Sequence, residues 1–369
     1  MILFWTERAG SYTIDEYLVQ RGASIAERFR VRHYEEIGAK TDLECGTHVF
    51  ASLDQLSDAG LEMVSRAADQ LLAAGSGMQL LNHPRAVLFR RELLRRAWDD
   101  GINQFRAVPV RPFPRQLHYP VFLRSANHHD GSLTGLLSSE SELRRAIRAQ
   151  RLRGRPVDDL LAVELCDTST GDGTWRKYAA FRVGGRIVPV HLMISTEWMV
   201  KFSAEAPSLE SALEELRFVQ SNPHEAWLRR VTDIAGVTYG RVDYGVKDGV
   251  PQLWEINTNP TIGRRLHSQG REYASAIAAV LEERRTLVHQ ALRDAFLAID
   301  SPAECAVVGR SGAGRSTVTI EIPSRLVLRL QHEREGAARR RRVFRWSQWL
   351  YERPVLGMPL RTFLRRITP

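Results

Sequence analysis

The first hundred residues alternate short apolar runs with segments that repeat apolar residues at helical spacing. MILFW and THVFASL have the length and composition of buried strands. Residues 14–29 and the segment SLDQLSDAGLEMVSRAADQLLAAG carry the helical repeat, and the second of these stops at glycine, a common helix end. NHPRAVLFRRELLRRAWDDG predicts a further helix. Alternating strands and helices predict an open α/β domain here.

The middle of the chain is richer in strands. QLHYPVFLR, LTGLLSS and LLAVELC are predicted strands, and Ser139 with Glu142 has the capping-box pattern of a helix start. KYAAFRVGGRIVPVHLMI predicts a hairpin that turns at Gly184 and Gly185. Helices are predicted over residues 207–220, 223–236 and 268–299, and a second hairpin between the last two of them.

The second hairpin, YGRVDYGVKDGVPQLWEIN, carries acidic residues on both strands. Side chains alternate between the faces of a strand, so Arg241 and Asp243 share one face and Glu255 and Asn257 share one face of the return strand. A three-residue loop, Asp248 to Val250, sets Asp243 opposite Glu255. Two opposed carboxylates destabilise a strand pair. Either this is an ordinary solvated face, or a divalent cation lies between them, and such a donor set suits Mg²⁺.

The segment GRVDYGVKDGVPQLWEINTNP resembles the metal-binding hairpin of ATP-grasp enzymes, particularly D-alanine–D-alanine ligases and glutamate-adding ligases. The resemblance implies that Asp243, Glu255 and Asn257 bind Mg²⁺, with Mn²⁺ as the alternative ion, and that ATP is the nucleotide. It also implies that Arg241 is catalytic and contacts the transferring phosphate and the reaction intermediate.

Upstream, YPVFLRSANHHDGSLTGLLSS resembles the strand and glycine loop that cover the ATP phosphates in this family. The backbone N–H groups of Gly131, Ser132 and Leu133 are then the expected phosphate donors. An ordinary hairpin loop is the alternative. Arg90 and Arg124 stand where the family usually has ATP-binding lysines, and a planar guanidinium is not equivalent to a compact ammonium group.

LLAVELCD resembles the strand that leads to the adenine-binding hinge of the family. The resemblance implies that nucleotide-binding residues follow here and on the next strands: Glu164, Leu165, Cys166, Asp167, Lys177 and Lys201. Lys201 is expected to be catalytic as well. Arg182 is a further candidate phosphate contact. For Lys177, an exposed strand position without a ligand is an equal alternative.

The resemblance covers roughly residues 82–270 and implies an α/β fold class, with α+β character in the grasp region. The expected organisation is an open α/β pre-grasp domain over residues 1–105, followed by a two-subdomain ATP-grasp fold. The small subdomain with the glycine loop spans 106–190, the catalytic subdomain with the metal hairpin spans 191–300, and a C-terminal extension spans 301–369. The N-terminal region lacks the glycine-rich opening typical of D-alanine ligases, so that substrate is not implied.

The activity implied is that of a carboxylate–amine ligase. ATP would convert a small-molecule or peptide carboxylate to an acyl phosphate, which an amine attacks, with release of ADP and phosphate. Residues 264–268, just beyond the metal hairpin, are candidates for the acceptor pocket. Two alternatives to a ligase remain open. One is a kinase that stops at phosphoryl transfer, and the other is a non-catalytic ATP-binding scaffold that functions through its basic tail.

The composition also predicts the compartment in which the protein is found. No apolar run approaches the ~20 residues of a membrane span. The three cysteines, Cys45, Cys166 and Cys305, show neither metal-ligand spacing nor a disulfide framework, which predicts a cytoplasmic protein. A homodimer is compatible with the sequence but is not indicated by it.

The basic charge is concentrated in a tail. Residues 339–369 hold nine arginines and one glutamate, a net +8 out of the formal +9 of the whole chain. Aromatic residues are interleaved with these arginines. The tail either folds back onto the body or binds an anionic membrane surface or nucleic acid.

If the tail is a separate tether, deleting residues 339–369 will leave turnover of soluble substrates nearly unchanged. Binding to anionic vesicles or nucleic acid will weaken, and in the intact protein it will decrease as salt rises. Co-sedimentation and activity assays on both forms check this. Unfolding of the truncated protein would show that the tail packs against the body instead.

Overall fold

The structure is a computed structural model. It describes residues 1–75, 77–127, 131–200, 207–262, 274–300, 309–310, 316–336, 354–355 and 358–359. The strands are β1 Ile2–Thr6, β2 Phe29–His33, β3 Lys40–Glu44, β4 Thr47–Phe50, β5 Gln79–Leu81, β6 Ala107–Pro109, β7 Val121–Ser125, β8 Leu160–Glu164, β9 Trp175–Val183, β10 Arg186–Ser195, β11 Tyr239–Lys247, β12 Val250–Asn257, β13 Gly309–Arg310, β14 Ser316–Glu321, β15 Pro354–Val355 and β16 Met358–Pro359. The helices are α1 Tyr12–Val19, α2 Asp58–Ala73, α3 Arg90–Asp99, α4 Glu140–Leu152, α5 Leu209–Ser221, α6 Glu225–Ile234 and α7 Ser275–Ala298.

The N-terminal region is a parallel four-stranded sheet in the order β2-β1-β4-β5. The two central strands, β1 and β4, are buried along their whole length, as in a sheet that is covered on both faces. Helix α2 begins after Ser57, whose hydroxyl accepts a hydrogen bond from the Gly60 N–H. The predicted open α/β unit is confirmed.

The helix expected over residues 14–29 is wrong in its second half. Helix α1 ends at Val19, and residues 29–33 form the edge strand β2. Gly22 passes so close to the Tyr17 ring that a Cβ there would lie 2.6 Å from a ring carbon. This close packing turns the chain away from the helix axis, and the alternation in FRVRH then suits an edge strand.

The site lies on two antiparallel sheets. One is four-stranded, in the order β10-β9-β11-β12, and the other is three-stranded, in the order β6-β8-β7. Helix α4 packs on β7, and helices α5 and α7 pack on β10. These antiparallel sheets, together with the parallel N-terminal sheet, confirm the α/β class with α+β character in the second half.

Asn82 joins the N-terminal sheet to the four-stranded sheet. Its buried amide donates to the carbonyl oxygens of Phe50 (3.1 Å) and Tyr239 (2.6 Å), and its oxygen accepts from the N–H groups of Thr238 and Tyr239. The residue has a φ of 62°, a conformation that asparagine tolerates better than most residues. This one side chain satisfies four backbone groups where the two sheets meet.

Part of the C-terminal extension belongs to the N-terminal region. Strand β14 pairs with β3 from Thr317↔Glu44 to Glu321↔Lys40. The Gln70 side chain on α2 bonds both the N–H and the carbonyl oxygen of Glu321. The predicted domain boundaries stay a prediction, but this pairing brings residues 316–321 back to the first domain.

Two predictions from composition can be compared with the described residues. Cys45 is disulfide-bonded, so the expectation of no disulfide is wrong there, whereas Cys166 is a buried free thiol. No helix in the described part of the chain is long and apolar enough to cross a membrane.

His48 makes the N-terminal core sensitive to acid. The imidazole is fully buried, its Nδ1 accepts from the Trp5 indole N–H (3.0 Å), and its Nε2–H donates to the Glu44 carbonyl oxygen (3.0 Å). The Trp5 contact requires an unprotonated Nδ1 and therefore the neutral ring. Burial, with a smaller effect of the Arg32 charge, lowers the pKa of His48 to about 3.

Below pH 6.5 the unfolded chain therefore binds a proton at His48 that the folded chain rejects until about pH 3. We expect the free energy of unfolding to decrease as pH falls through this window. His48→Gln, which can keep both hydrogen bonds, should flatten that dependence. Urea unfolding of both proteins across the window is the measurement, and an unchanged slope in the variant would contradict the assignment.

Candidate functional site

The β11–β12 hairpin sets two carboxylates opposite each other. Asp243 pairs with Glu255 and Arg241 pairs with Asn257, as the sequence predicted. The predicted three-residue loop is wrong, because Lys247 pairs with Val250 across a two-residue turn, Asp248 and Gly249, both with positive φ. A β-bulge beside Asp243 adds the missing residue and restores the expected opposition.

The bulge also redirects Trp254. Strict alternation predicts that its indole lies on the face opposite Glu255. Instead Trp254 lines the same cavity as Asp243 and Glu255. A bulge commonly re-aims a side chain beside a functional site, and the bulge here brings a large aromatic ring next to two acids.

Asp243 is buried and doubly ion-paired. Its carboxylate lies 2.6 Å from Lys177 Nζ on β9 and 2.7 Å from Arg241 Nε, and its side chain is 2% exposed. Burial opposes ionisation, but the charges of Arg241 and Lys177 outweigh it and hold the pKa of Asp243 far below its usual range. Asp243 is therefore an anion at neutral pH.

Glu255 is held from another direction. One carboxylate oxygen, Oε2, accepts from Arg90 (2.9 Å) and from Arg124. Burial would raise the pKa of Glu255, but the two guanidinium groups lower it to about 2. Arg90 lies at the start of α3 and Arg124 lies on β7, so two separate elements converge on this oxygen of β12.

The cluster has surplus positive charge. Four cations, Arg90, Arg124, Lys177 and Arg241, pair with only two carboxylates, Asp243 and Glu255, in this part of the described chain. Such a cluster is suited to a polyanion, and guanidinium groups bind phosphate oxygens well.

The oxygen atoms of Asp243, Glu255 and Asn257 also suit a divalent cation whose remaining ligands are phosphate oxygens. Two carboxylates and the Asn257 amide, whose oxygen accepts from the Asn259 N–H (2.8 Å), are oxygen ligands of the kind Mg²⁺ takes. No group of three or more histidine, cysteine, aspartate or glutamate side chains converges in the described ranges. A Mg²⁺ ion here would need oxygens from a ligand, which is its usual mode of binding.

A cavity of about 360 Å³ opens beside these charges. Its other walls are apolar and come from several elements: Leu94, Phe105, Phe122, Val163, Trp175, Trp198, Met199, Val200 and Trp254. Arg124, Lys177, Arg241, Asp243, Glu255 and Asn257 line the charged side. The cavity therefore suits a ligand with a flat apolar part and an anionic part.

The predicted hinge residues divide into two groups. Glu164, Leu165 and Cys166 line the cavity, whereas Asp167 does not and accepts instead from the backbone and hydroxyl of Ser169. The Glu164 carboxylate is already bound to Arg106 (3.0 Å to Nε). The N–H groups of Glu164 and Leu165 donate to the carbonyl oxygens of Arg106 (2.9 Å) and Pro120 (3.0 Å), and the nucleotide contact expected of Asp167 stays a prediction.

The predicted phosphate loop contributes less than expected. Gly131 lines the cavity with a φ of 81°. Ser132 pairs with Arg124, and the Leu133 N–H donates to the Leu123 carbonyl oxygen (2.7 Å) while its side chain packs in the core. The Leu133 N–H is thus not available to phosphate, because the return strand uses it.

Other predicted positions lie elsewhere. Lys201 and residues 264–268 fall outside the described residues. Arg182 binds Thr232 and Asp233 away from the cavity, since it faces the opposite side of β9 from Lys177. Of the basic tail, only the backbone of residues 354–355 and 358–359 is described.

His191 is a residue that the sequence prediction missed. It pairs with Ala179 on β9, which pairs with Asp243 on β11, so His191, Asp243 and Glu255 lie in one row across the sheet. Its Nε2 is buried without a partner, and burial lowers its pKa well below the usual value. A bulge beside Val190 sets its direction, and nothing in HLMI signals that bulge. The aromatic walls Trp175 and Trp198 were missed as well.

No family model matches this sequence, and no curated protein matches it. Matching solved structures include the D-alanine–D-alanine ligase from Bacillus anthracis complexed with ATP, at 12% identity, covering 79% of this chain and 97% of that chain, with a TM-score of 0.39. The RimK domain ATP-grasp protein from Sphaerobacter thermophilus matches at 13% identity over 78% and 99%, with a TM-score of 0.38. The ATP-grasp ligase PsnB complexed with minimal precursor matches at 13% identity over 77% and 98%, with a TM-score of 0.44.

The surplus positive charge predicts binding of inorganic tripolyphosphate. We expect tripolyphosphate to raise the melting temperature of the protein, because a ligand that binds only the folded state stabilises it. Arg124→Ala should lose most of the shift. Arg95→Met, which removes an exposed arginine of α3, should retain it. Differential scanning fluorimetry checks this, and an equal shift in both variants would place the anion elsewhere.

Proposed function

We propose that this protein is an ATP-dependent carboxylate–amine ligase of the ATP-grasp superfamily. The observation that carries the proposal is one sheet face on which Asp243, Glu255 and Asn257 adjoin Lys177, Arg241 and Arg124, at the charged side of an aromatic cavity. A nucleotide has the matching chemistry, with a flat base for the apolar walls and a polyphosphate for the cations.

In this proposal the adenine lies between Phe122, Trp198 and Trp254, and backbone groups of residues 164–166 contact its edge. The triphosphate extends toward Arg124, Lys177 and the Gly131 backbone. Mg²⁺, held by Asp243, Glu255 and Asn257, would neutralise phosphate charge and orient the terminal phosphoryl group. Lys201 remains a candidate catalytic residue from the sequence alone.

The chemical steps follow from that arrangement. A carboxylate oxygen of the acid attacks the γ-phosphorus, the bond to the β-phosphate bridging oxygen breaks, and ADP leaves. The amine then attacks the acyl carbon, phosphate leaves, and the amine loses a proton. Arg241 is positioned to balance negative charge in both steps, because it lies two residues from Asp243 on the same face of β11. Charge neutralisation and positioning are the main protein contributions to phosphoryl transfer.

The acid and amine are defined only by class. We propose a small-molecule or peptide carboxylate as one substrate and an amine as the other. A kinase would release ADP with an acceptor alone, and a non-catalytic scaffold would bind ATP without turnover. An acid-and-amine screen with ADP release as the readout separates the three functions.

We expect ADP release to require an acid, an amine and Mg²⁺ together. Glu255→Gln should lower the rate by at least about 100-fold, since it removes a charge from the metal-binding set. Arg95→Met serves as the surface control. Circular dichroism should verify that the Gln variant folds. Full turnover in that variant would exclude the proposed role of Glu255.

A further inference from the structure

Arg90 occupies a different position from the other cations of the cluster. It is the first residue of α3, its side chain is 6% exposed, and it does not line the cavity. The resemblance to ATP-binding lysines nevertheless predicts that it contacts phosphate. Its contacts in the structure indicate another role.

We infer that Arg90 is a positioning residue, which fastens the carboxylate of Glu255 to the end of the glycine-loop strand and does not bind the nucleotide. The inference rests on the proposed function, in which Glu255 is a metal ligand. In this role Arg90 bridges Glu255 and two backbone carbonyl groups, which a lysine at the same position could not do in the same way.

The guanidinium group of Arg90 makes contacts in two directions. Its Nη1 donates to the carbonyl oxygens of Ser125 (2.8 Å) and Ala126 (3.3 Å), and its Nη2 donates to Glu255 Oε2 (2.9 Å). Ser125 ends β7, and Ala126 follows it into the loop. A planar guanidinium can span both sets of acceptors, whereas the compact ammonium of lysine presents its donors from one point.

Arg124 binds the same carboxylate oxygen but is differently held. It lines the cavity, and the only side-chain partner recorded for it in the described part of the chain is Glu255. Its guanidinium can therefore exchange Glu255 for a phosphate by a rotation of its own side chain. Arg90 cannot leave without breaking two further hydrogen bonds to buried backbone carbonyl groups.

Because they are held differently, the two arginines have different roles. Arg124 leaves Glu255 Oε2 for the anionic ligand, which removes one of the two cations beside the carboxylate and makes room for the metal ion. Arg90 stays bound to the same oxygen and holds the carboxylate in place. Because Arg90 bonds both the end of β7 and Glu255, the positions of this strand end and of the carboxylate are coupled through one side chain.

The test compares nucleotide binding with and without Mg²⁺. ATP affinity is measured in EDTA and in MgCl₂, with the tryptophans of the cavity as fluorescent reporters. We expect Arg90→Lys to bind ATP in EDTA within about twofold of the wild type, while the gain in affinity on adding Mg²⁺ falls by about 10- to 100-fold, the usual effect of losing a partner of a metal ligand. Arg124→Ala should instead weaken binding in EDTA.

Two controls define the comparison. Arg95→Lys changes an exposed arginine of the same helix and should leave both affinities unchanged. In a Glu255→Gln background, Arg90→Lys should have no further effect on the Mg²⁺ gain, because the contact it serves is already altered. If Arg90→Lys does not fold, Arg90→Gln, which can still donate to the Ser125 carbonyl oxygen, takes its place.

Weaker ATP binding in EDTA by Arg90→Lys, comparable to that of Arg124→Ala, would overturn the inference and make Arg90 a nucleotide ligand. An unchanged Mg²⁺ gain would overturn it as well. If the wild-type protein binds no ATP under either condition, the proposed function itself fails, which is a separate result.

Discussion

The site depends on two buried carboxylates that face each other across one strand pair. Asp243 and Glu255 would repel in isolation, and neither could remain ionised at such burial without nearby cations. Lys177 and Arg241 neutralise the first, and Arg90 and Arg124 neutralise the second. The cations come from strands β7, β9 and β11 and from helix α3, so the acids hold these elements in one arrangement.

Because cations outnumber acids in this cluster, the cluster favours binding of an anionic ligand. An anionic ligand would relieve the repulsion among the guanidinium and ammonium groups, and a divalent cation could then replace some of them beside the acids. Apolar walls adjoin the charged side of the cavity, and electrostatic attraction is stronger where water is excluded. The same charges can thus hold the two acids in place and bind phosphate.

The surrounding fold supplies rigidity. Asn82 satisfies four backbone groups where the parallel sheet meets the four-stranded sheet. At the carboxyl ends of β1 and β4, the Asn259 amide donates to the Ser52 hydroxyl (2.9 Å) and to the Gly10 carbonyl oxygen (3.0 Å). Asn259 lies two residues beyond Asn257, so the proposed metal hairpin is attached directly to the first domain.

Local alternation in the sequence predicted that Arg241 and Asp243 share one face of β11 and that Glu255 and Asn257 share one face of β12, because that period depends only on strand geometry. It also predicted the α/β beginning and the identity of both carboxylates. The bulge beside Asp243, which turns Trp254 into the cavity, was decided by packing. So were the ion pairs of Glu255 with Arg90 and Arg124, which join residues 165 and 131 positions apart. Contacts at such separations have no local signal, since only the folded chain brings their elements together.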